Sequence, residues 1–225
     1  MRIIIILSII SISLFGCKSK TADQKIESKT DNRTESKTEQ VKLPEKEDIP
    51  TGPPADQNKD TLLLKLTNQV MTALKNKDYA TLSAVVHPDK GVRFSPYSYV
   101  DSTEDKILTA AMISNADFRK KRIVWGHIDN TGDPINITFE KYLAGYVYDV
   151  DFLHPEKRKV NEFIGASTTV NNLKAMYPGC DFTESHFSGF EKKYEGMDWK
   201  SLRLVFKQKE GKYYLVGVVH DEWTT

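Results

Sequence analysis

From Lys18 to about Lys59 the chain is dominated by Lys, Glu, Ser, Thr, Asp and Pro, with a short repeat, Glu27-Ser28-Lys29-Thr30 and Glu35-Ser36-Lys37-Thr38. Such a stretch has too little apolar surface to offset the entropy of ordering it, so no core can form there. Folding is thereby confined to residues 60–225, one domain of ordinary size with room for a core. The two signs of charge alternate through residues 17–59 instead of forming one block. That pattern reads as a solvated tether, stiffened at its far end by Pro44, Pro50, Pro53 and Pro54, and not as a tail that grips a partner.

Ahead of this tract, Arg2 precedes an apolar run from Ile3 to Phe15. The run matches the roughly 7–15 residues of a signal-peptide core. It is short of the about 20 residues that a spanning helix needs. It ends in Leu14-Phe15-Gly16-Cys17, with the small Gly16 at the cut and Phe15 larger than the residue usual at its place. The arrangement resembles the bacterial lipoprotein signal, which implies removal of residues 1–16 and diacylation of the Cys17 sulfur. A secretory cut elsewhere or an uncleaved anchor is the alternative. Two acyl chains, at about 0.8 kcal/mol per buried methylene, suffice for stable anchoring. The expected location is the extracytoplasmic face of a bacterial cell envelope, with the membrane as first partner.

The net charge of the whole chain is +1. Loss of residues 1–16 removes only Arg2, which leaves the side chains near neutral and argues against nucleic acid as a partner. With Cys17 consumed by lipid, Cys180 is alone, so no internal disulfide forms and the fold rests on its core.

Within 60–225 the periodicity predicts a helix capped by Asp60 and carrying Leu63, Leu66, Val70, Met71 and Leu74 on one stripe. A shorter helix capped by Asp78 runs through Leu82, Val85 and Val86 to His87-Pro88. Val92–Ser95 is extended, and Ser102 to Asn115 reads as a further helix with Ile107, Leu108, Ala111 and Met112 inward. Arg122–Ile128 and Ile135–Thr138 form a hairpin ahead of a short helix near Phe139–Tyr146. Leu202–Phe206, a turn at Glu210-Gly211, and Tyr213–Val219 running into His220-Asp221-Glu222-Trp223 form a long antiparallel hairpin. Helices first and long strands last predict an α+β fold: N-terminal helices packed on a curved, mainly antiparallel sheet that ends in a long C-terminal hairpin.

That order resembles the ketosteroid isomerase-like, nuclear transport factor-like cone fold, which implies a pocket between sheet and helices. The strings His87-Pro-Asp-Lys-Gly-Val-Arg-Phe-Ser-Pro-Tyr97, Tyr148-Asp-Val-Asp-Phe152, Tyr194-Glu-Gly-Met-Asp-Trp199 and His220-Asp-Glu-Trp223 are similar to those of an uncharacterised family of bacterial lipoproteins. This second resemblance implies an envelope location and no activity.

Alternation along a strand would put His220 and Glu222 on one face and Asp221 and Trp223 on the other, where a carboxylate near an imidazole orients it for acid–base work or shares a metal. A solvated chain end fits the same residues. Asp149 and Asp151 share a face if Tyr148–Phe152 is extended, and could hold Ca²⁺ or raise one pKa by repulsion; a solvated or capping pair fits as well. Arg93, Tyr97 and Tyr99 could bind an anionic or sugar-like ligand, or be core rings beside a surface Arg.

The nucleotide, zincin and hydrolase signatures are missing, so no cofactor and no metal is expected. The first functional reading is a tethered module that binds a small ligand or an envelope protein. The rival is an isomerase- or hydrolase-like enzyme with Asp149, Asp151 or Asp221 as base.

Overall fold

The computed structural model describes residues 55–165 and 170–224. Cys17 and the signal stretch, and with them most of the tether, lie outside the described residues.

The first helix, α1 (Ala55–Asn76), begins before Asp60, which lies inside it instead of capping it. Leu63, Val70, Met71 and Leu74 are buried along the expected stripe. The helix stops in a Schellman motif: Asp78 N–H donates to Ala73 C=O (2.8 Å) and Lys77 N–H to Leu74 C=O (3.2 Å), with Lys77 in the left-handed conformation where Gly is usual. Asp78 then caps α2 (Tyr79–Ala84) by accepting from Thr81 N–H.

After α2, β1 (Val92–Ser95) leads to β2 (Lys106–Leu108), α3 (Ala110–Ser114) and α4 (Ala116–Lys120). The single helix expected over Ser102–Asn115 is therefore three pieces, with Ile107 exposed instead of inward. The physical reason lies in the short polar side chains. Asp101 accepts from Thr103 and Glu104 N–H, and Asp105 accepts from Asp101 N–H, which ties 101–105 into a turn. Thr109 caps α3, while Asn115 both ends α3 and caps α4. The freed Lys106–Leu108 joins the sheet edge against β1. Gly91 must be glycine at this junction: its φ is +66°, and a Cβ would stand 2.6 Å from the Leu108 carbonyl oxygen.

The hairpin β3 (Arg122–His127) and β4 (Pro134–Thr138), followed by α5 (Phe139–Tyr146), matches the sequence reading. It brings an aromatic stack into the core, with Trp125 4.2 Å from Tyr142 and Tyr142 5.5 Å from Tyr146. Then come β5 (Lys157–Val160), α6 (Leu173–Met176), β6 (Asp181–Phe187), β7 (Lys200–Lys209) and β8 (Lys212–Glu222). The main sheet runs β2-β1-β8-β7-β6-β5, antiparallel except for β1 against β8. This is the α+β arrangement the sequence predicts, with its long C-terminal hairpin.

One face of the sheet, through Phe94, Leu202, Leu204, Phe206, Leu215 and Val218, forms the main core with α1, α2, α5 and the β3–β4 hairpin. The opposite face is not left to water. Leu173 of α6 and Val100 cover Phe182, Val205, Val216 and Val219 in a second, smaller core.

Farther along that second face lies a charged network. Glu184 and Arg203 stand opposite each other in the β6–β7 register, both fully buried, with Arg203 Nε donating to Glu184 Oε2 at 2.9 Å. Arg203 Nη2 lies 2.7 Å from Asp221 Oδ2 on β8. Glu184 also accepts from Ser201 Oγ (2.7 Å) and Gly165 N–H (2.8 Å). Removing one member strands a charge in low dielectric, at about 3–5 kcal/mol. Arg203→Met is therefore expected to lower the denaturation free energy by about that amount, and Arg203→Met combined with Glu184→Leu and Asp221→Leu by clearly less. Urea unfolding of the two variants checks this, and equal losses would show that the packing and not the charge is at stake.

Candidate functional site

Among the pockets of the described surface two differ in charge, and a second ionic cluster lies apart from the Glu184–Arg203 network. The largest pocket, about 440 Å³, sits on the second face of the sheet, at the end away from Glu184. Lys90, Arg93 on β1 and Lys207 on β7 bring three cations to it, and Met176, Tyr177 and Val216 form its apolar wall. Short α6 delivers Tyr177, and Asn172 fixes that helix by bonding both the N–H and the C=O of Val100 (2.8 and 3.0 Å). The phenol reaches the sheet because residue 217 is glycine: a Cβ there would stand 2.7 Å from Tyr177 Oη. Burial pushes the Tyr177 phenol well above its ordinary pKa, with Arg93 pulling the other way. Its Oη makes no hydrogen bond of ordinary geometry, although the Arg93 guanidinium is near enough to lower its pKa. Cys180 lines the same pocket, its thiol pushed up by burial.

The second pocket, about 260 Å³, is lined by Tyr97, Tyr99, Asp101, Glu104, Asp105 and His127. Burial raises the Asp105 carboxyl to about 6, against Ser95 and Asp101 hydrogen bonds that pull it down. His127 Nδ1 meets Glu104 at 2.7 Å. Arg93 is thus parted from Tyr97 and Tyr99, which the sequence reading placed in one binding set. Alternation turns Arg93 to the second face, whereas Tyr97 follows the strand end around Pro96 and packs on Tyr146 of the main core.

The third place is the main-core face beneath the end of β8. His220 and Glu222 do share a face there, with Asp149 and Lys200. Lys200 Nζ bonds both Asp149 and Glu222, and His220 Nε2 lies 3.3 Å from Asp149 Oδ1. Burial pushes Asp149 up, but the hydrogen bonds and charges of His220 and Lys200 outweigh it and hold the carboxyl at about 2. Ligand atoms of Asp149, His220 and Glu222 lie within 4.8 Å of one another, close enough for a metal. Two observations speak against one. The Lys200 ammonium already bonds both carboxylates, and His220 Nδ1 has no acceptor, whereas metal-bound imidazoles nearly always donate the second N–H.

The chain end is accordingly not solvated: His220 is fully buried, and Asp221, on the opposite face, belongs to the Arg203 network. Asp149 and Asp151 do not share a strand face either, because 148–150 is a bend and no strand runs through 151. Asp151 instead holds Lys75 and His154, each at 2.9 Å, and accepts from Tyr148. The four acid–base candidates of the sequence fall into three separate places, and the carboxyl with a raised pKa in a pocket wall is Asp105, which sequence reasoning placed inside the helix expected over Ser102–Asn115. Only the nearby Ser95 and Asp101, once the strand-to-turn geometry is known, mark it.

No family model matches the chain, and no curated protein matches it. Among solved structures, a putative calcium/calmodulin dependent protein kinase II association domain from Xanthomonas campestris is similar over 76% of this chain and 92% of that one, at 13% identity and a TM-score of 0.32. At that TM-score the likeness carries no weight for function.

Asp105 makes a pH prediction. Its folded pKa, about 6, lies above the unfolded value of 3.8, so the folded state binds the extra proton between the two. The stabilisation is complete below the unfolded pKa and is lost as pH rises through the folded one. Asp105→Asn keeps an acceptor for Ser95 and Asp101, and is expected to flatten the fall in stability between roughly pH 4 and 6.5. Urea midpoints across that range check it, and an unchanged slope would refute it.

Proposed function

We propose that this protein is a binding module tethered to the extracytoplasmic side of a bacterial envelope membrane through lipid on Cys17, with the cationic pocket as its ligand site. The observation that carries the binding reading is the construction of that pocket. Tyr177 crosses the sheet over a glycine, its hydroxyl left without a hydrogen bond of ordinary geometry, and three cations point into a recess with apolar walls. Pockets of this size with a few convergent polar groups are the usual form of a small-molecule site. The tether and the lipoprotein signal support an anchored location, and the helix-then-sheet order keeps with the cone-fold resemblance.

A second reading, a small acid–base enzyme, is favoured by one observation: Asp105, near pKa 6, in a pocket wall beside Tyr97. A general base is most effective with a pKa near working pH. The neighbouring acidic groups give the pocket no anion-stabilising donor except the tyrosines and His127, so binding remains the reading of choice.

The anchor predicts that Cys17→Ser moves the protein from the membrane pellet to the soluble fraction and abolishes incorporation of labelled fatty acid. Retention of both would refute lipidation at Cys17. The pocket predicts that a thermal-shift panel of small anions, sugars and amino acids contains stabilising ligands, worth about 2.7 kcal/mol at 100 times their Kd. Gly217→Ala, which displaces the Tyr177 ring, should abolish the shift.

A further inference from the structure

Resting on the binding role of the cationic pocket, we infer that its ligand is an amphiphilic anion: a carboxylate or phosphate head on a short apolar body. No acidic residue lines the pocket. Among the described residues Lys90 and Lys207 have no carboxylate partner, whereas Lys209 nearby pairs with Asp89 at 2.8 Å. Arg93 Nη1 donates to the neutral backbone carbonyls of Asp101 and Asp105 (3.2 and 3.4 Å). These bonds orient the guanidinium, whose nearest carboxylates, Asp101 and Asp105, lie outside the pocket lining. Three like charges converging on a recess repel one another more than on open surface, because the local dielectric is lower. An anion removes that repulsion, and a guanidinium offers it paired donors in a fixed fork.

The head group would gain a third kind of donor in Tyr177. Its raised pKa keeps the phenol protonated at neutral pH, and its Oη makes no hydrogen bond of ordinary geometry. The remaining wall is apolar: Met176, Val216 and the exposed Ile107 contribute carbon surface, which a fully ionic ligand such as free phosphate would leave uncovered. Charge on one side and carbon on the other select an amphiphile. Carboxylate and phosphate share the required chemistry, and the choice between them is read by experiment.

Cys180 supplies a native reporter, since its thiol lies in the pocket wall. The full-length protein in nonionic detergent is treated with iodoacetamide, and modification of the Cys180 peptide is followed by mass spectrometry. The probes are octanoate, octyl phosphate, octylamine, octanol and inorganic phosphate. Octanoate or octyl phosphate is expected to slow alkylation about tenfold near saturation, with the better of the two identifying the head. Octylamine and octanol are expected to leave the rate unchanged. Lys207→Met breaks no hydrogen bond of the fold and should raise the half-protecting concentration about tenfold at an unchanged melting temperature. Arg93→Met should do at least as much, and the Lys207 variant stands in for it if the β1–β2 turn loosens. Equal protection by octylamine or octanol would overturn the anion assignment while leaving the pocket a binding site. Inorganic phosphate protecting as well as octyl phosphate would overturn the apolar body. Absence of protection by every probe would overturn the inference, and would overturn the binding reading with it if the thermal-shift panel of anions, sugars and amino acids is silent as well.

Discussion

The sheet is held in register by one fully buried ion pair. Glu184 and Arg203 face each other across β6 and β7, and Asp221 closes the group from β8. A slip of one residue in either pairing would turn these charges into the main core among Leu202, Leu204 and Phe206. Such a pair adds little net stability, because desolvation nearly cancels the attraction, but it makes every alternative register expensive. The Glu184 carboxylate also accepts the N–H groups of Ile164 and Gly165, so the same group that sets the strands ties the connecting segment across the sheet. The positions of Arg93, Lys207 and Gly217 along that face follow from this register.

Because the register is fixed, each face of the sheet acquires one chemistry per end. The main-core face is apolar over most of its length, with Thr67 and Thr183 satisfying each other at 2.8 Å between α1 and β6. At the β8 terminus it takes in the Lys200 ammonium between two carboxylates. The second face carries the ion pair at one end, a small apolar core in the middle, and the cationic pocket at the other. Arg93 and Asp105 stand between the pockets of opposite sign: Arg93 binds the backbone carbonyl of Asp105, whose carboxyl faces the acidic pocket. The two recesses are therefore electrostatically coupled: Arg93 lowers the Asp105 pKa, and Asp105 raises that of Tyr177.

Much of the fold was legible locally. The stripe on α1, the Asp78 cap, the β3–β4 hairpin, α5 and the β7–β8 hairpin all follow from periodicity and turn chemistry, because each is stabilised by neighbours in sequence. The candidate sites were far less legible. Tyr177 and Lys207 become neighbours only once α6 is laid across the sheet, and no spacing in the chain announces it. The strand β6 was missed for a related reason: Asp181–Phe187 carries Thr, Glu, Ser and His where a buried strand ordinarily shows carbon, and those groups are buried because partners on β5, β7 and α1 satisfy them.

What the sequence determined by itself was the α+β class and the elements whose hydrogen bonds close within a few residues. What only tertiary structure decided was which polar side chains are buried and against whom. Ser102–Asn115 illustrates the difference, since its apolar spacing suits a helix, yet pairing with β1 and the carboxylates of Asp101 and Asp105 divert it into turn, strand and one short helix. A local pattern states a preference worth tenths of a kcal/mol per residue. A buried acceptor or an unpaired sheet edge costs kilocalories, and that larger quantity, set by residues distant in the chain, fixes where the pockets lie.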